Sequence, residues 1–195
     1  MNETERIKLF EEATALLSGH FLLASGLHAD KYVAKRRLYV YPLKVKRLCQ
    51  EIAEYFKDSN VEAVVSPAVG GVALSQWVAF SLAELTGREV LAVFAEKVGD
   101  KKEFGFSEGC GDFLADKRTL IVDDVLTTGG SIDAVRKAVT EARGVVIAVG
   151  ILWLRAKEKA EMDVPFFSLI VKAFPAWKPG ECPLCVQNIP FNQLK

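Results

Sequence analysis

The sequence has 195 residues, half of them hydrophobic and 26% charged, which favours one globular domain spanning residues 1–195. Basic and acidic residues both number 25, so no net field attracts nucleic acid or an anionic membrane. Four irregularly spaced cysteines, no apolar run of membrane-spanning length and no signal peptide predict a cytoplasmic protein rather than a secreted or membrane-bound one.

The chain opens with a capping box formed by Asn2 and Glu5, which predicts the start of a helix. Apolar residues at helical spacing extend this helix to about Gly19. Its predicted inward face consists of Ile7, Phe10, Ala13, Leu16 and Leu17. His20 then falls at the helix end, where a surface position favoured by the helix dipole is expected.

Strand-like stretches lie on either side of a Ser25-Gly26 turn, between Phe21 and Tyr39. His28, in the same segment, is predicted to be an exposed turn residue. Pro42 then opens a second helix, and apolar residues at helical spacing form its inward face: Val45, Leu48, Ile52 and Phe56.

A strand over residues 61–65 leads into a loop ending in Gly70 and Gly71, and an apolar helix follows from Val72 to about Leu85. Because glycine has no Cβ, this loop permits a ligand to approach the backbone closely. A Pro-x-x-Gly-Gly segment is, however, equally common as an ordinary turn. On the sequence alone, a ligand-binding loop and an ordinary turn are equally good interpretations of this segment.

After a strand over residues 89–95, the sequence from about residue 97 to residue 115 is polar, rich in glycine and without regular periodicity. Long loops in compact domains are usually functional or disordered. This one carries Lys97, Lys101 and Lys102, which suit a pyrophosphate. A solvated surface loop explains the same composition equally well.

The most informative segment is an apolar run, Leu120 to Val122, followed by the acidic pair Asp123 and Asp124. A turn of hydroxyl residues and glycines, residues 127–131, comes next, and then a helix with Ile132, Val135, Ala138 and Val139 on one face. Glycines, hydroxyls and a helix N-terminus together form a site for a phosphate. Carboxylates beside it suit ribose hydroxyls or Mg²⁺.

Two further strands, over residues 145–154 and 164–171, complete the pattern. Arg155 follows the first of them, where the pattern by itself predicts a surface arginine at a strand end. Cys182 and Cys185 form a Cys-x-x-Cys pair, which is half a zinc site or a redox pair. Because no second pair lies nearby in sequence, structural thiols are the favoured interpretation and metal binding the lesser one.

The segment from Val122 to Ser131 resembles the phosphoribosyl pyrophosphate (PRPP) signature of the type I phosphoribosyltransferases. The segment Phe21 to Tyr32 and the Cys-Pro-Leu-Cys tail are similar to those of orotate phosphoribosyltransferases of a bacterial branch. The resemblance implies an α/β fold in which helices flank a parallel sheet, with a small N-terminal hood at about residues 20–40 and a mobile catalytic loop at about residues 97–115.

The resemblance also implies an activity, the transfer of a phosphoribosyl group from PRPP to orotate in pyrimidine biosynthesis, with Mg²⁺. Lys97, Asp123 and Asp124 are its predicted catalytic residues. The predicted PRPP contacts add Lys101, Lys102, Gly70, Gly71, Val125, Leu126, Thr127, Thr128, Gly129, Gly130 and Ser131. Orotate would contact Tyr32, Thr127 and Arg155. Mg²⁺ would be held mainly by PRPP, with Asp123 and Asp124 as further candidate ligands, and the loop lysines would act in the partner chain of a homodimer.

Two other functions fit parts of this pattern. The PRPP signature is common to phosphoribosyltransferases for other bases, so the base is open. A PRPP-sensing regulator that binds nucleic acid is the second alternative; it would be expected to carry a basic face or a helix-turn-helix module. The net charge of zero argues against that regulator.

Overall fold

The structure is a computed structural model that describes residues 1–23, 25–99, 103–127, 129–155 and 163–193. Its α-helices are α1 (Glu3–Glu12), α2 (Lys35–Tyr39), α3 (Pro42–Phe56), α4 (Val72–Thr86), α5 (Gly130–Glu141) and α6 (Pro183–Val186). The strands are β1 (Leu16–Leu22), β2 (His28–Val33), β3 (Ala63–Pro67), β4 (Leu91–Val98), β5 (Glu103–Gly105), β6 (Arg118–Leu126), β7 (Val145–Leu154), β8 (Phe166–Val171) and β9 (Ala176–Trp177). None of the described helices has the length and apolarity needed to cross a membrane.

Six strands form the main sheet in the order β5-β4-β3-β6-β7-β8. Its central strands pair in parallel, and only β5 runs antiparallel to its neighbour β4. A parallel sheet is buried on both faces, and β6 shows this directly: its residues from Thr119 to Asp124 are all buried. The predicted α/β fold with a parallel sheet is confirmed.

The two faces of the sheet belong to two separate hydrophobic cores, because successive side chains of a strand point to opposite sides. Leu120 and Val122 pack into the core that also contains residues of α1, α3 and α4. Ile121, between them, packs into the core formed with α5. The predicted inward faces of α3 and α5 are therefore the ones that are buried.

The first helix is shorter than its sequence pattern predicted. The capping box of Asn2 and Glu5 is present, but the helix ends at Glu12, and Thr14 adopts a left-handed backbone conformation with φ 51°. That conformation interrupts an α-helix. Leu16 and Leu17, which were expected on the helix, instead begin β1.

The segment predicted as a long loop contains regular structure. β4 continues to Val98 and forms a hairpin arm with β5, in which Lys97 is opposite Phe104. A short 3₁₀ helix follows over residues 110–114. Phe104 and Leu114 are buried, so two isolated apolar residues anchor a stretch whose overall composition is polar.

A second, three-stranded sheet has the order β1-β2-β9. Its first two strands correspond to the predicted hood, and the third comes from the C-terminal segment: Ala176 and Trp177 pair with Ala29 and His28. The prediction that His20 and His28 are surface residues is wrong. They lie in β1 and β2 with exposed fractions of only 1% and 6%, because the C-terminal segment covers them.

Candidate active site

The acidic pair lies near the carboxyl end of β6, the strand between β3 and β7. Parallel strands bring their carboxyl ends to one edge of the sheet, where ligands of such folds bind. Both carboxylates are nearly inaccessible, with exposed fractions of 6% for Asp123 and 2% for Asp124. Burial of two acids without compensation is unfavourable, so their partners decide what the pair can do.

Asp124 is held by three hydrogen bonds. Lys35 Nζ donates to Oδ1 over 2.8 Å, Tyr39 Oη donates to Oδ2 over 2.9 Å, and the backbone N–H of Val125 donates to Oδ1 over 2.7 Å. Asp123 Oδ1 accepts a bond from the N–H of Asp124 over 2.8 Å. Asp124 is thus a fixed carboxylate, and its neighbour has the freer hydrogen-bonding capacity.

Lys35 and Tyr39 were not among the predicted site residues. They stand four residues apart on α2, a spacing that places both side chains on one helix face. That spacing is visible in the sequence once α2 is known to be helical, but the segment was interpreted as strand-like. Nothing local in the sequence indicates that this face meets an aspartate from β6.

The net effect of burial and neighbouring charges is to raise the pKa values of Asp123, Lys35 and Tyr39. Burial, followed by the negative charge of Asp124, raises the pKa of Asp123 to about 7. Burial opposes the charged form of Lys35, but the nearby charge and hydrogen bond of Asp124 outweigh it and raise the lysine pKa. The pKa of Tyr39 is also raised, first by burial and then by Asp124. Lys35 therefore stays a cation and Tyr39 a hydrogen-bond donor.

The loop after β3 packs directly on the acidic pair. A Cβ added to Gly70 would lie 2.9 Å from Asp124 Oδ2, and one added to Gly71 would lie 2.7 Å from the carbonyl oxygen of Pro67. Both distances are shorter than real Cβ contacts, so both positions require glycine. The structure thus brings the glycine-containing loop after β3 against the acidic residue Asp124, which the sequence places far from it.

The turn after β6 leads into α5 with Gly129 as the N-cap residue at φ 89°, a left-handed conformation that favours glycine. Thr127 and Ser131 are exposed on this turn, and a Cβ at Gly130 would meet no atom within 4 Å. Thr128 lies outside the described residues. The described part of the turn has open space in front of a helix N-terminus, which suits an anion.

Val125 and Leu126 occupy a different environment from the turn. The side chain of Leu126 belongs to one hydrophobic core and that of Val125 packs against the other. Only their backbones remain for a ligand, and these are already engaged: the Leu126 carbonyl accepts the backbone N–H of Arg155 over 2.8 Å. The side chains of this predicted pair serve packing.

Arg155 follows β7 at the same edge of the sheet and is half-buried. Its guanidinium carbon lies 5.7 Å from the ring centre of Phe174, and its Nε has no hydrogen-bond partner among the described residues. Burial lowers the pKa of Arg155, and the opposing influence comes from Tyr32 of the three-stranded sheet. Tyr32 and Arg155, two of the three residues predicted to contact a base, thus lie close enough to influence each other electrostatically.

A cavity of about 720 Å³ lies beside Tyr32 and Lys35. Tyr32 and Phe21 line it on the side of the three-stranded sheet, and their ring centres are 5.6 Å apart. Lys35, Arg36 and Arg37 add three cations to its wall. The acidic pair does not line the cavity; Lys35 links the two through its bond to Asp124.

Lys97 is not brought to the acidic pair in this chain. Its side chain lies exposed on the β4–β5 arm, and its ammonium group forms no hydrogen bond or ion pair with the described part of the chain. Lys101 and Lys102 lie outside the described residues. The arm extends beyond the last paired position of β4 with β3, which is Ala95.

Comparison with known proteins identifies the family. Residues 40–176 match the family model of the phosphoribosyl transferase domain. The chain belongs to this family. It is 34% identical over 195 residues to the orotate phosphoribosyltransferase of Caldicellulosiruptor saccharolyticus, covering 98% of this chain and 95% of that one. It is 37% identical over 188 residues to the enzyme of the same name from Thermotoga maritima, covering 95% of each chain.

Solved structures of phosphoribosyltransferases share the fold. The orotate phosphoribosyltransferase of Mycobacterium tuberculosis has a TM-score of 0.66 at 24% identity, covering 86% of this chain and 96% of that one. The one from Aeropyrum pernix has a TM-score of 0.65 at 22% identity, covering 84% and 92%. At these identities the likeness supports the architecture only.

The carboxylates of this phosphoribosyltransferase chain also indicate how Mg²⁺ would be held. Carboxylate oxygens are ligands that Mg²⁺ prefers, but the ion usually relies on one or two of them together with substrate phosphates. Both oxygens of Asp124 already accept bonds from Lys35 and Tyr39. The residues therefore fit an ion carried mainly by a pyrophosphate, with Asp123 the better placed of the two acids.

Proposed function

We propose that this chain is an orotate phosphoribosyltransferase, which joins orotate to PRPP to give orotidine 5′-monophosphate and pyrophosphate. The observation that carries the choice of base is Arg155. Its half-buried guanidinium lies at the sheet edge that also holds the acidic pair, and its Nε has no hydrogen-bond partner among the described residues. A cation in that position favours a base bearing a carboxylate, and relatives covered over nearly their whole length bear this name.

In this proposal the acidic pair acts on the ribose. Asp123 and Asp124 accept hydrogen bonds from its hydroxyls and place negative charge beside the anomeric carbon as it becomes cationic. Such preorganised charge is usually the largest contribution to catalysis. Lys35 and Tyr39 act as positioning residues, because their bonds to Asp124 fix the carboxylate before substrate arrives.

The turn of residues 127–131 would hold the 5′-phosphate through backbone N–H groups and hydroxyls. The loop containing Gly70 and Gly71, which packs against Asp124, is in position to meet the pyrophosphate. Mg²⁺, when bound, would supply positive charge to the departing pyrophosphate. Lys97 together with Lys101 and Lys102 would add to that charge and help to exclude water.

We further propose a cytoplasmic homodimer in which the lysine-bearing arm serves the site of the partner chain. The side chain of Lys97 is exposed and its ammonium group has no partner among the described residues of its own chain, as an arm that acts elsewhere requires. Two-fold symmetry makes such an exchange reciprocal. All four cysteines are free thiols, in keeping with a reducing compartment.

The proposed activity is tested with a panel of bases. Orotate, uracil, adenine, hypoxanthine and guanine are each incubated with the enzyme, PRPP and Mg²⁺, and pyrophosphate release is measured. Orotate alone should support turnover. The Asp124→Asn variant, purified identically, is the control that assigns the activity to this protein. Faster turnover of uracil or of any purine would overturn the choice of orotate.

A further inference from the structure

Four side chains with metal-binding atoms converge between the three-stranded sheet and the C-terminal segment. His20 comes from β1, His28 from β2, and Cys182 and Cys185 flank the start of α6. Their candidate ligand atoms all lie within 4.8 Å of one another. His20, His28 and Cys182 are buried and Cys185 is partly so. None of the four belongs to the candidate active site.

Four of the six distances inside this cluster are close to those of a tetrahedral ion site. Zinc bonds of about 2.3 Å to sulfur and about 2.0 Å to nitrogen, at tetrahedral angles, place two nitrogens about 3.3 Å apart and a nitrogen and a sulfur about 3.5 Å apart. His20 Nε2 and His28 Nδ1 are separated by 3.2 Å. Cys182 Sγ is 3.5 Å and Cys185 Sγ 3.8 Å from His20 Nε2, and Cys185 Sγ is 3.2 Å from His28 Nδ1.

The surroundings orient one imidazole for this role. The carbonyl oxygen of Ile189 lies 2.7 Å from His20 Nδ1 and can only accept a hydrogen bond, which places the proton on Nδ1. The lone pair of Nε2 then points at the other three ligand atoms. A backbone carbonyl bonded to the second nitrogen is the usual arrangement around a metal-bound histidine.

We propose that His20 Nε2, His28 Nδ1, Cys182 Sγ and Cys185 Sγ bind one Zn²⁺ ion per chain. Two sulfurs and two nitrogens at tetrahedral spacing select zinc over the hard ions that prefer oxygen. Four protein ligands complete the coordination, so the site is structural and leaves no position for a substrate. The pairing that the Cys-x-x-Cys sequence seemed to lack is supplied by two histidines distant in sequence.

The ion would fasten the C-terminal segment to the three-stranded sheet. Phe191 packs on both imidazoles, with ring centres 4.1 Å from His20 and 4.8 Å from His28. Asn192 exchanges two hydrogen bonds of 2.7 Å with the backbone of His20. Asn192 also lines the cavity beside Tyr32, so the ion would stabilise one wall of that cavity from outside.

The test measures metal directly. The reduced protein is stripped with a chelator, reconstituted with Zn²⁺ or Co²⁺, and assayed for bound metal, for affinity against a chromophoric chelator, and for the visible absorption of tetrahedral Co²⁺ with thiolate ligands. Cys185→Ser is the main variant because this residue is partly exposed and its loss should leave the fold intact. Cys110→Ser, which changes a partly exposed thiol outside the cluster, is the matched control.

The wild-type protein and Cys110→Ser should bind one equivalent of Zn²⁺ and give the tetrahedral Co²⁺ spectrum. Cys185→Ser should bind it at least about 100-fold more weakly, since even groups that only orient ligands contribute about 10- to 100-fold. Metal removal should also expose the segment after Lys178 to limited proteolysis. Wild-type protein that binds Zn²⁺ no more tightly than Cys185→Ser, or that is purified with a Cys182–Cys185 disulfide and no metal, overturns the proposal.

Discussion

Replacing Asp123 by asparagine should make the protein more stable above neutral pH. The carboxylate is 6% exposed and stands beside Asp124, and its pKa is raised from 3.8 to about 7 by burial and by that neighbouring charge. Asparagine keeps an oxygen that can accept the N–H of Asp124, which Asp123 Oδ1 accepts over 2.8 Å. The substitution therefore removes the charge and preserves the shape.

The sign and size of this change in stability follow from the raised pKa of Asp123. A carboxyl whose pKa is raised in the folded state contributes stability that is complete below about pH 4 and is lost as pH rises through about 7. Three pKa units at about 1.4 kcal/mol each give a total loss of about 4 kcal/mol. More than half of this loss falls between pH 5 and pH 8. The Asp123→Asn variant does not undergo that loss, because asparagine does not ionise.

The assay is thermal or urea unfolding of both proteins in matched buffers from pH 5 to pH 8. The difference in Tm between variant and wild type should widen by roughly 5–10 °C over that range, at about 2–4 °C per kcal/mol for a chain of this size. Other titrating groups are the same in both proteins and cancel in the difference. Asp112→Asn, which removes an exposed carboxylate outside the site, is the matched control.

Two results would refute this reasoning. A stability difference that stays constant from pH 5 to pH 8 would mean that Asp123 is ionised throughout. A variant less stable than wild type at pH 8 would mean that the charge is compensated in the folded protein. Activity should fall in the same variant, as expected where a site retains charge at the expense of stability.

Three further predictions concern activity. Arg155→Ala should raise the KM for orotate by roughly 10- to 100-fold, the value of a charge-assisted hydrogen bond, with little change for PRPP. Tyr39→Phe removes a donor to Asp124 and should lower kcat by roughly 10-fold, whereas Tyr41→Phe should not. Asp124→Asn should lower activity by ~10²-fold, and refolding it in equal mixture with Lys97→Ala should restore roughly a quarter of wild-type activity if partner chains share the site.

Each of these has a contrary outcome. An Arg155→Ala enzyme that loses affinity for PRPP instead of orotate contradicts the role given to the guanidinium. Unchanged kcat in Tyr39→Phe would show that the Lys35 bond alone positions Asp124. For the mixed subunits, activity that remains at the level of the separate mutants, with mixed dimers shown to be present, rules out an arm acting in the partner chain.

The sequence predicts the elements whose signals are local. The helix opened by Pro42 is predicted by its apolar spacing and its N-terminal proline. The β6–turn–α5 unit is predicted by an apolar strand that ends in acids and glycines. Leu16 and Leu17 were misplaced because apolar residues before a turn fit a helix and a strand equally well. The decisive signal there was the backbone conformation of Thr14.

What the sequence could not predict depends on contacts between distant segments. The bonds from Lys35 and Tyr39 to Asp124 join α2 to β6, and no local pattern specifies that meeting. The burial of His20 and His28 likewise depends on a segment near the other end of the chain. The spacing of apolar residues predicts which face of a helix or strand is buried, but it does not predict which segment covers that face.

The position of β9 has a consequence for how the chain folds during its synthesis. β2 is completed on one side by β1, its immediate neighbour in sequence, and on the other by Ala176 and Trp177. During translation the strands of the main sheet from β3 to β7 can pair first, while the N-terminal hairpin keeps one edge unpaired until the C-terminal segment leaves the ribosome. Such late, long-range pairing is slow and leaves an edge open to association. The nascent chain is therefore most vulnerable to aggregation at β2, one of the first strands to be made.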